Sequence, residues 1–373
     1  MNRGNYELAV RLRHELHEHP EISNNEVWTK KHLIDFLKDH TNLEIVDRGQ
    51  WFYAVYKGAE GRKNIAFRAD IDALPIDEYL DIPHGSKIIG VSHKCGHDGH
   101  AAALAGFALE AERVGGDNNI YFLFQHAEET GDGAKEAAVF IRENNIDEIY
   151  AYHNMSGFPY KAVVVKNGVN YCASKGMIIH MEGSPAHASM PEKGRNPSFA
   201  LASIINAIPG LISPENYKGM VLCTVIQVAA GERAFGTSAS KGELLLTIRA
   251  LYEEELGKLQ KNIEDLAKEE AEKYGLKITF NYVDSFPETY NHTVSIDKVR
   301  KAAVNKGYKL VEMKEAIRSS EDFGYYTKLT KGAIFMIGNG EDYPSLHTNE
   351  YDFRDEIIET ASDIFMGIIE INE

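Results

Sequence analysis

Apolar strand-like and helix-like segments alternate along the first half of the chain. After "NIAFRADIDALP" (64–75) come a helical "AAALAGFALEAERV", an apolar "NIYFLFQ", a helical "AKEAAVFIRENN" and a strand-like "EIYAYHN". This order is typical of a largely parallel sheet with helices on its faces. In such sheets, ligands bind beyond the carboxyl ends of the strands. We therefore predict an α/β fold whose functional residues follow its strands.

The pattern of predicted strands and helices changes near residue 176. "GMIIHMEG", "LLLTIRA" and "KITFNYVD" have the character of strands, and in the second of these Leu244, Leu246 and Ile248 alternate with polar residues. Two amphipathic helices separate these strands, a pattern that indicates an α+β sandwich. A chain of 373 residues also exceeds what one core usually organises. We predict an inserted domain over 176–288 within a catalytic domain formed by 1–175 and 289–373.

Charge and composition exclude several classes of protein. The net charge of −16 argues against a nucleic-acid partner, which needs a basic face. No apolar run approaches the roughly 20 residues of a membrane span, and charges interrupt any signal-like core at the start. Cys95, Cys172 and Cys223 are too few and too scattered for a disulfide framework. We expect a cytoplasmic protein without membrane contact.

The stretch "SHKCGHDGH" (92–100) points to a metal site. The thiolate of Cys95 and the imidazole of His97 are ligands for zinc-like cations, and Gly96 between them lets the backbone turn. No CxxC accompanies the pair, so its other ligands must lie far away in sequence. Four segments with candidate partners each follow a predicted strand: "FRADIDALP", "FQHAEETGDGA", "YAYHNM" and "YPSLHTNEYDF".

Within these segments several interpretations stay open. Adjacent carboxylates at Glu128 and Glu129 can divide metal binding and proton transfer between them, or form a solvated acidic pair. Taken singly, His153 also suits a core histidine and His347 an exposed loop residue. Asp98 at the start of a helix suits a capping role.

Taken together, the motifs resemble the metallo-amidohydrolase and peptidase family that includes aminoacylases, hippurate hydrolase and the plant hydrolases of indoleacetyl-amino-acid conjugates. The resemblance covers nearly the whole chain, and the motifs that carry it occur in the family's order: "HELHEHPE", "RADIDALPI", "CGHDGHAAAL", "AEETGDGA", "GSPAHAS", "NPSFALASII", "SSEDFGYY" and "SLHTNEYDF". It implies a phosphorylase/hydrolase-like catalytic domain and a ferredoxin-like inserted domain that serves as a lid and in dimerisation.

The resemblance also implies the roles of individual residues. The positions that match the ligands of two divalent metal ions (zinc, manganese, cobalt or nickel) are Cys95, His97, Glu129, His153 and His347. Glu128 matches the general base. Related peptidases have a ligand histidine where this chain has Asp70, and the aspartate of that motif matches Asp72, which would orient a ligand.

The inserted domain is expected to contact the substrate. His187 matches a histidine that stabilises the developing oxyanion, often in the partner subunit of a homodimer. Arg249 ends an apolar strand and suits either a substrate carboxylate or a structural ion pair. Gly236 stands where relatives carry an asparagine that binds substrate or the transition state, so the pocket is altered.

The sequence therefore predicts a metal-dependent amidohydrolase that cleaves the amide bond of small N-acyl amino acids. Three alternatives remain: a dipeptidase or aminopeptidase-like enzyme, a metal-independent hydrolase with Cys95 as nucleophile and His97 as base, and a non-catalytic metal-binding module.

Overall fold

A computed structural model describes residues 1–59 and 62–372 and divides the chain into two compact units. The first unit comprises Met1–Asn170, Thr289–Ala316 and Asp322–Glu373, and the second comprises Tyr171–Glu288 and Ile317–Glu321. Within the described residues, no helix is both long and apolar enough to cross a membrane.

The described elements follow in chain order. The first unit begins with α1 (Arg3–Glu18), α2 (Val27–His40), β1 (Glu44–Asp47), β2 (Phe52–Tyr56), β3 (Asn64–Asp70), α3 (His97–Val114), β4 (Asn119–Gln125), α4 (Gly133–Ala137), α5 (Val139–Glu143), β5 (Glu148–Ser156), β6 (Val163–Val165) and β7 (Gly168–Tyr171). The second unit contains β8 (Ala173–Glu182), α6 (Ser198–Leu211), β9 (Val221–Ala230), β10 (Lys241–Ala250), α7 (Glu253–Lys273) and β11 (Lys277–Phe286). The chain then returns to the first unit with β12 (Thr289–Asn291), α8 (Thr293–Asn305), β13 (Leu310–Glu312), α9 (Gly324–Thr327), β14 (Lys331–Gly340) and α10 (Glu356–Asn372).

The first unit contains an eight-stranded sheet in the order β1-β2-β4-β3-β5-β14-β6-β13. Its central strands β4, β3, β5 and β14 are parallel to one another, whereas β1, β2 and β6 join by antiparallel pairs. Central strands such as β3 and β5 are buried almost throughout, as continuous apolar runs predict. The predicted α/β class with a mostly parallel sheet is confirmed.

Small residues let helices pack tightly around α3. A Cβ on Gly106 would lie 2.9 Å from the Cβ of Ala9 on α1, so the glycine permits a close approach of the two helices.

Asp98 does not cap α3, because Gly96 occupies the cap position. Its carboxylate instead accepts hydrogen bonds from Arg13 Nε and His17 Nδ1, both at 2.8 Å. Arg13 and His17, the second of which belongs to "HELHEHPE", thus connect α1 to the start of α3.

The second unit has the element order β-α-β-β-α-β. Its four strands pair antiparallel in the order β11-β8-β10-β9, a ferredoxin-like arrangement. Leu244, Leu246 and Ile248 of β10 are buried as their alternation predicts, and they pack with buried residues of α6 and α7.

The structure and the sequence-based division differ at two short segments. Residues 171–175 and 317–321 belong to the second unit rather than the first. Tyr171 forms a parallel bridge with Ile317, and the Cys172 N–H donates to the Ser319 carbonyl at 3.2 Å. These backbone contacts connect a stretch of the C-terminal half to the residues that directly precede β8, which local patterning does not reveal.

Candidate metal centre

The candidate site lies at the carboxyl edge of the parallel strands. Asp70 at the end of β3 is in register with Gln125 at the end of β4, and His153 on β5 is in register with Met336 on β14. Gly96 turns the chain into α3 with φ +93°, and a Cβ there would lie 2.5 Å from Asn154 Oδ1. The glycine between Cys95 and His97 is therefore required by both conformation and space.

The structure brings the five predicted ligands together. The Sγ atom of Cys95 lies 3.5 Å from His153 Nε2 and 3.3 Å from His347 Nε2. The Oε1 atom of Glu129 lies 3.8 Å from His97 Nε2 and 3.6 Å from His347 Nε2. Two groups of three donors result, and both include Cys95: one with His97 and His153, the other with Glu129 and His347.

The donor set fits divalent metal ions. His97 Nε2 and Glu129 Oε1 are buried without a hydrogen-bond partner in the described residues, a costly state unless a cation meets them. The other ring nitrogens are already engaged, since His97 Nδ1 lies 3.1 Å from Asp72 Oδ1 and His153 Nδ1 lies 2.7 Å from the Asn154 carbonyl. Protons on these Nδ1 atoms leave each Nε2 available as a ligand.

Asp72 lies where it can orient two of these ligands. Its Oδ1 faces His97, and its Oδ2 accepts the Glu129 N–H at 3.0 Å and the Ser23 hydroxyl at 2.7 Å. One buried carboxylate thus contacts both the imidazole and the backbone of the acidic pair, as the orienting role requires.

Asp70 lies near the donors but is already engaged. Its Oδ1 lies 2.6 Å from His100 Nδ1, and its Oδ2 accepts from Arg68 Nη1 at 2.7 Å. Asp70, His97 and His100 also form a compact group of possible ligands. The guanidinium of Arg68, however, already supplies the positive charge that this carboxylate needs, which disfavours a cation there.

Burial and neighbouring charges shift the pKa values of three candidate ligands. Burial, with the nearby Glu129 carboxylate, raises the pKa of the Cys95 thiol well above its ordinary value. Burial likewise raises the pKa of Glu129 to about 7, against the opposing attraction of His97. For His97 burial acts to lower the pKa, but Asp70 and Cys95 outweigh it and raise the pKa well above its usual range.

A tight turn presents the acidic pair. Ala127 has φ +48°, a left-handed conformation that costs a residue with a side chain roughly 1–2 kcal/mol. The Gly133 N–H donates to the Ala127 carbonyl at 3.1 Å, and the Gly131 N–H donates to the Glu128 carbonyl at 2.8 Å. Glu128, 6 % exposed, has a carboxylate oxygen grouped with the donor atoms of His97 and Glu129.

The predicted substrate-contacting residues belong to the second unit. His187 is exposed in a loop, and its Nδ1 lies 2.7 Å from Ser189 Oγ. Gly236 lies in the neighbouring loop, where its carbonyl accepts the Ala188 N–H at 3.0 Å and open space surrounds its Cα. Arg249 Nη1 donates to the Arg318 carbonyl at 2.9 Å and to Ser320 Oγ at 2.6 Å, so the arginine holds residues 317–321 rather than a carboxylate of the described chain.

Two residues that contact the ligand-bearing segments were not predicted from the sequence. Lys94 is fully buried, donates to the Tyr351 carbonyl at 2.7 Å, and offers its own carbonyl to the His347 N–H at 2.8 Å. Glu26 accepts the Ala127 N–H at 2.7 Å. Lys94 lies within "SHKCGHDGH", whereas none of the quoted motifs includes Glu26, and both contacts span long stretches of sequence that local patterning does not connect.

A mostly parallel sheet with a cluster of thiol, imidazole and carboxyl groups at its carboxyl edge defines a metal-dependent hydrolase. Residues 66–371 match the sequence profile of Peptidase family M20/M25/M40. The chain belongs to this family.

Individual relatives agree with this assignment. The chain is 29 % identical to N-acetylcysteine deacetylase of Bacillus subtilis, over 95 % of this chain and 94 % of the relative. It is 30 % identical to hippurate hydrolase of Campylobacter jejuni, with the same coverage of 95 % and 94 %. The crystal structure of a Bacillus subtilis dinuclear metal-binding peptidase of the M20 family superposes with a TM-score of 0.84 at 27 % identity, covering 100 % of this chain and 99 % of that one.

The shared position of Cys95 in both donor groups generates a prediction about metal content. Cys95→Ala should remove at least one equivalent of metal, because each group of three would lose its sulfur ligand. Cys172→Ala and Cys223→Ala are matched controls, since both thiols belong to the second unit. Elemental analysis of the dialysed proteins measures the difference, and equal metal content in all three variants would contradict the assignment.

Proposed function

We propose that the protein is a dinuclear metal amidohydrolase that removes the acyl group from small N-acyl amino acids. The observation that carries this proposal is the pair of three-donor groups that share Cys95, with the Glu128 carboxylate beside them. The names of the relatives, which include a deacetylase and a hippurate hydrolase, support the substrate class.

Five residues would hold the metal ions: Cys95, His97 and His153 on one side, and Cys95, Glu129 and His347 on the other. Zinc, manganese, cobalt and nickel all accept this mixture of sulfur, nitrogen and oxygen donors. When bound, such ions lower the pKa of water and polarise a substrate carbonyl.

Glu128 is the proposed general base. Its carboxylate takes a proton from the attacking water as the new carbon–oxygen bond forms, and it returns that proton to the departing nitrogen as the carbon–nitrogen bond breaks. The products are an amine and a carboxylic acid, which loses its remaining proton to the solvent. Asp72 keeps His97 and the backbone of Glu129 in place throughout, since it contacts both.

The second unit is proposed to complete the substrate site. Because Ser189 engages Nδ1 of His187, the other ring nitrogen, Nε2, is the one that can stabilise the developing oxyanion. Arg249 is proposed to bind the substrate carboxylate through the part of its planar guanidinium that does not hold residues 317–321. The open space at Gly236 is proposed to enlarge the pocket relative to enzymes with asparagine there.

The metal-independent cysteine mechanism is less well supported. A nucleophilic thiol needs a lowered pKa, whereas burial and Glu129 raise the pKa of Cys95. The Nδ1 atom of His97 lies 3.1 Å from Asp72 Oδ1, and its Nε2 atom lies 3.8 Å from Glu129 Oε1. This arrangement suits a metal ligand. A dipeptidase differs in substrate alone, so activity measurements must separate it from a deacylase.

We also propose a homodimer formed through the second unit, and action in the cytoplasm. Strand β9 is an edge of its sheet and exposes Val225, Ile226 and Val228. An apolar edge with unpaired backbone groups is suited to pairing with a second copy of the chain. The three unpaired cysteines are consistent with a reducing compartment.

The proposed activity is tested with a substrate panel. The protein, stripped with chelator and reloaded separately with zinc, manganese, cobalt or nickel, should release amine from N-acetyl and N-benzoyl amino acids with at least one metal. Dipeptides with a free amino terminus serve as the comparison. Faster hydrolysis of the dipeptides would favour the peptidase alternative, and no turnover of either class with any metal would refute the proposal.

The two adjacent glutamates should respond differently to the same substitution. Glu128→Gln keeps size but cannot accept a proton, so kcat should fall about 10²-fold or more while the metal content stays intact. Glu129→Gln removes a ligand charge, so metal affinity should fall first, and excess metal should restore part of the activity by mass action. Metal titration and kinetic measurements on both variants separate a loss of proton transfer from a loss of metal. Equal loss of metal in both variants would contradict the assignment of Glu128 as base and Glu129 as ligand.

The role of His187 yields a prediction about dimers. His187→Ala should lower kcat by roughly 10²- to 10³-fold, the usual cost of one oxyanion donor, without loss of metal. If the histidine acts in the partner's site, refolding His187→Ala together with Glu128→Gln in equal amounts should restore roughly a quarter of wild-type activity, because half of the dimers are mixed and each has one intact site. Activity no greater than the sum of the separate variants would place His187 outside the partner's site.

A further inference from the structure

The segment between α1 and α2 contains residues that the proposed mechanism does not use. "EISNNE" (21–26) runs beside the residues that follow β3: Ile22 forms a parallel bridge with Ala73, and the Ala73 N–H donates to the Glu21 carbonyl at 2.8 Å. Two side chains of the segment then reach the surroundings of the acidic pair. Ser23 donates to Asp72, and Glu26 accepts the N–H of Ala127.

Glu26 is not needed to begin α2. It occupies the N-cap position, yet its side chain makes no capping hydrogen bond. Glu21 caps the helix instead, because its two carboxylate oxygens accept the N–H groups of Trp28 and Thr29 at 3.1 and 2.9 Å. Glu26 is 5 % exposed, and its carboxyl is turned inward, where it accepts the backbone N–H of Ala127, far away in sequence.

That backbone N–H belongs to a critical residue. Ala127 is fully buried, has a left-handed conformation that alanine rarely adopts, and directly precedes Glu128 and Glu129. A left-handed residue persists where its surroundings hold it. The direction in which both glutamates leave the strand therefore depends on the contacts of Ala127: the Thr130 hydroxyl donates to its carbonyl at 3.4 Å, and Glu26 accepts its N–H at 2.7 Å.

We propose that Glu26 is a positioning residue, whose carboxyl oxygen holds the Ala127 N–H and thereby aims Glu128 and Glu129 into the metal centre. The kinetic part of this inference rests on the proposed hydrolase function, whereas the part about Glu129 concerns metal binding alone. What matters is the reach of the side-chain oxygen rather than its charge. Burial, together with the neighbouring Asp72, raises the pKa of Glu26 to about 7, so a neutral oxygen acceptor is compatible with this site.

Three substitutions separate reach from charge. Glu26→Gln keeps an oxygen acceptor at the same distance, so kcat and the affinity for Co²⁺ should stay within a factor of about three of the wild type. Glu26→Asp keeps the charge but is one methylene shorter, and Glu26→Ala has no acceptor. Both should lower Co²⁺ affinity by roughly 10- to 100-fold, as loss of a group that orients a ligand does, and should lower kcat by at least a similar factor.

Glu21→Ala is the matched control. It removes a glutamate of the same segment that also accepts backbone N–H groups, but those groups belong to α2. It should lower the melting temperature without changing Co²⁺ affinity or kcat. Circular dichroism verifies the fold of each variant, and if Glu26→Ala does not fold, the comparison of Gln with Asp decides.

The readouts are titration with Co²⁺, followed through its thiolate charge-transfer absorption, and kcat with the best substrate of the panel. Lower Co²⁺ affinity and kcat in Glu26→Asp and Glu26→Ala, with both retained in Glu26→Gln, support the proposal. Loss in Gln with retention in Asp, retention in all three, or an equal loss in Glu21→Ala would overturn it. If the wild type hydrolyses nothing, the proposed function fails, while the Co²⁺ affinities still decide the role of Glu26.

Discussion

The candidate metal centre is arranged around one thiol, that of Cys95, which is buried among histidine and glutamate side chains. Cys95 lies within 3.5 Å of two imidazole nitrogens and is nearly excluded from water, and burial raises its pKa well above the ordinary value. A thiolate in this place needs a compensating positive charge. Divalent cations can supply it, so metal binding, deprotonation of Cys95 and the stability of the surrounding loops are expected to be coupled.

Behind the ligands, three buried aspartates are held by hydrogen-bonding partners, most of which come from other segments. Asp98 binds Arg13 and His17 of α1, Asp70 binds Arg68 and His100, and Asp72 binds Ser23 and the Glu129 backbone. Buried ion pairs contribute little net stability, because desolvation offsets their attraction, but removing one partner is costly. Their value here is geometric, since they fix the loops that carry ligands to rigid strands and helices.

Much of this organisation follows from local sequence. The strand and helix alternation predicts the parallel sheet, and placing candidate ligands directly after strands predicts their convergence, because the carboxyl ends of parallel strands share an edge. The "CGH" motif indicates its turn because the left-handed conformation of Gly96 suits glycine.

Features at a sheet edge, and contacts between residues distant in sequence, could not be predicted from the sequence. The sequence of strand β9 lacks an apolar-polar alternation. Its Val225, Ile226 and Val228 are all exposed, and the strand lies at a sheet edge. The membership of residues 317–321 in the second unit depends on a bridge between Ile317 and Tyr171. The contact of Glu26 with Ala127 likewise joins residues about a hundred positions apart. No local periodicity encodes such pairings.

The charges of the proposed ligands also bear on substrate choice. Histidines bind metals as neutral imidazoles, so Cys95 and Glu129 are the two ligands that carry negative charge. The carboxylates of Glu128 and Asp72 also lie beside these ligands, whereas Asp70 is already balanced by Arg68 and His100. The charge of two divalent ions would then be matched by four negative groups, so the loaded centre would be close to neutral inside a chain whose net charge is −16. The carboxylate of an N-acyl amino acid therefore needs a cation other than the metal ions, which is the role proposed for the Arg249 guanidinium.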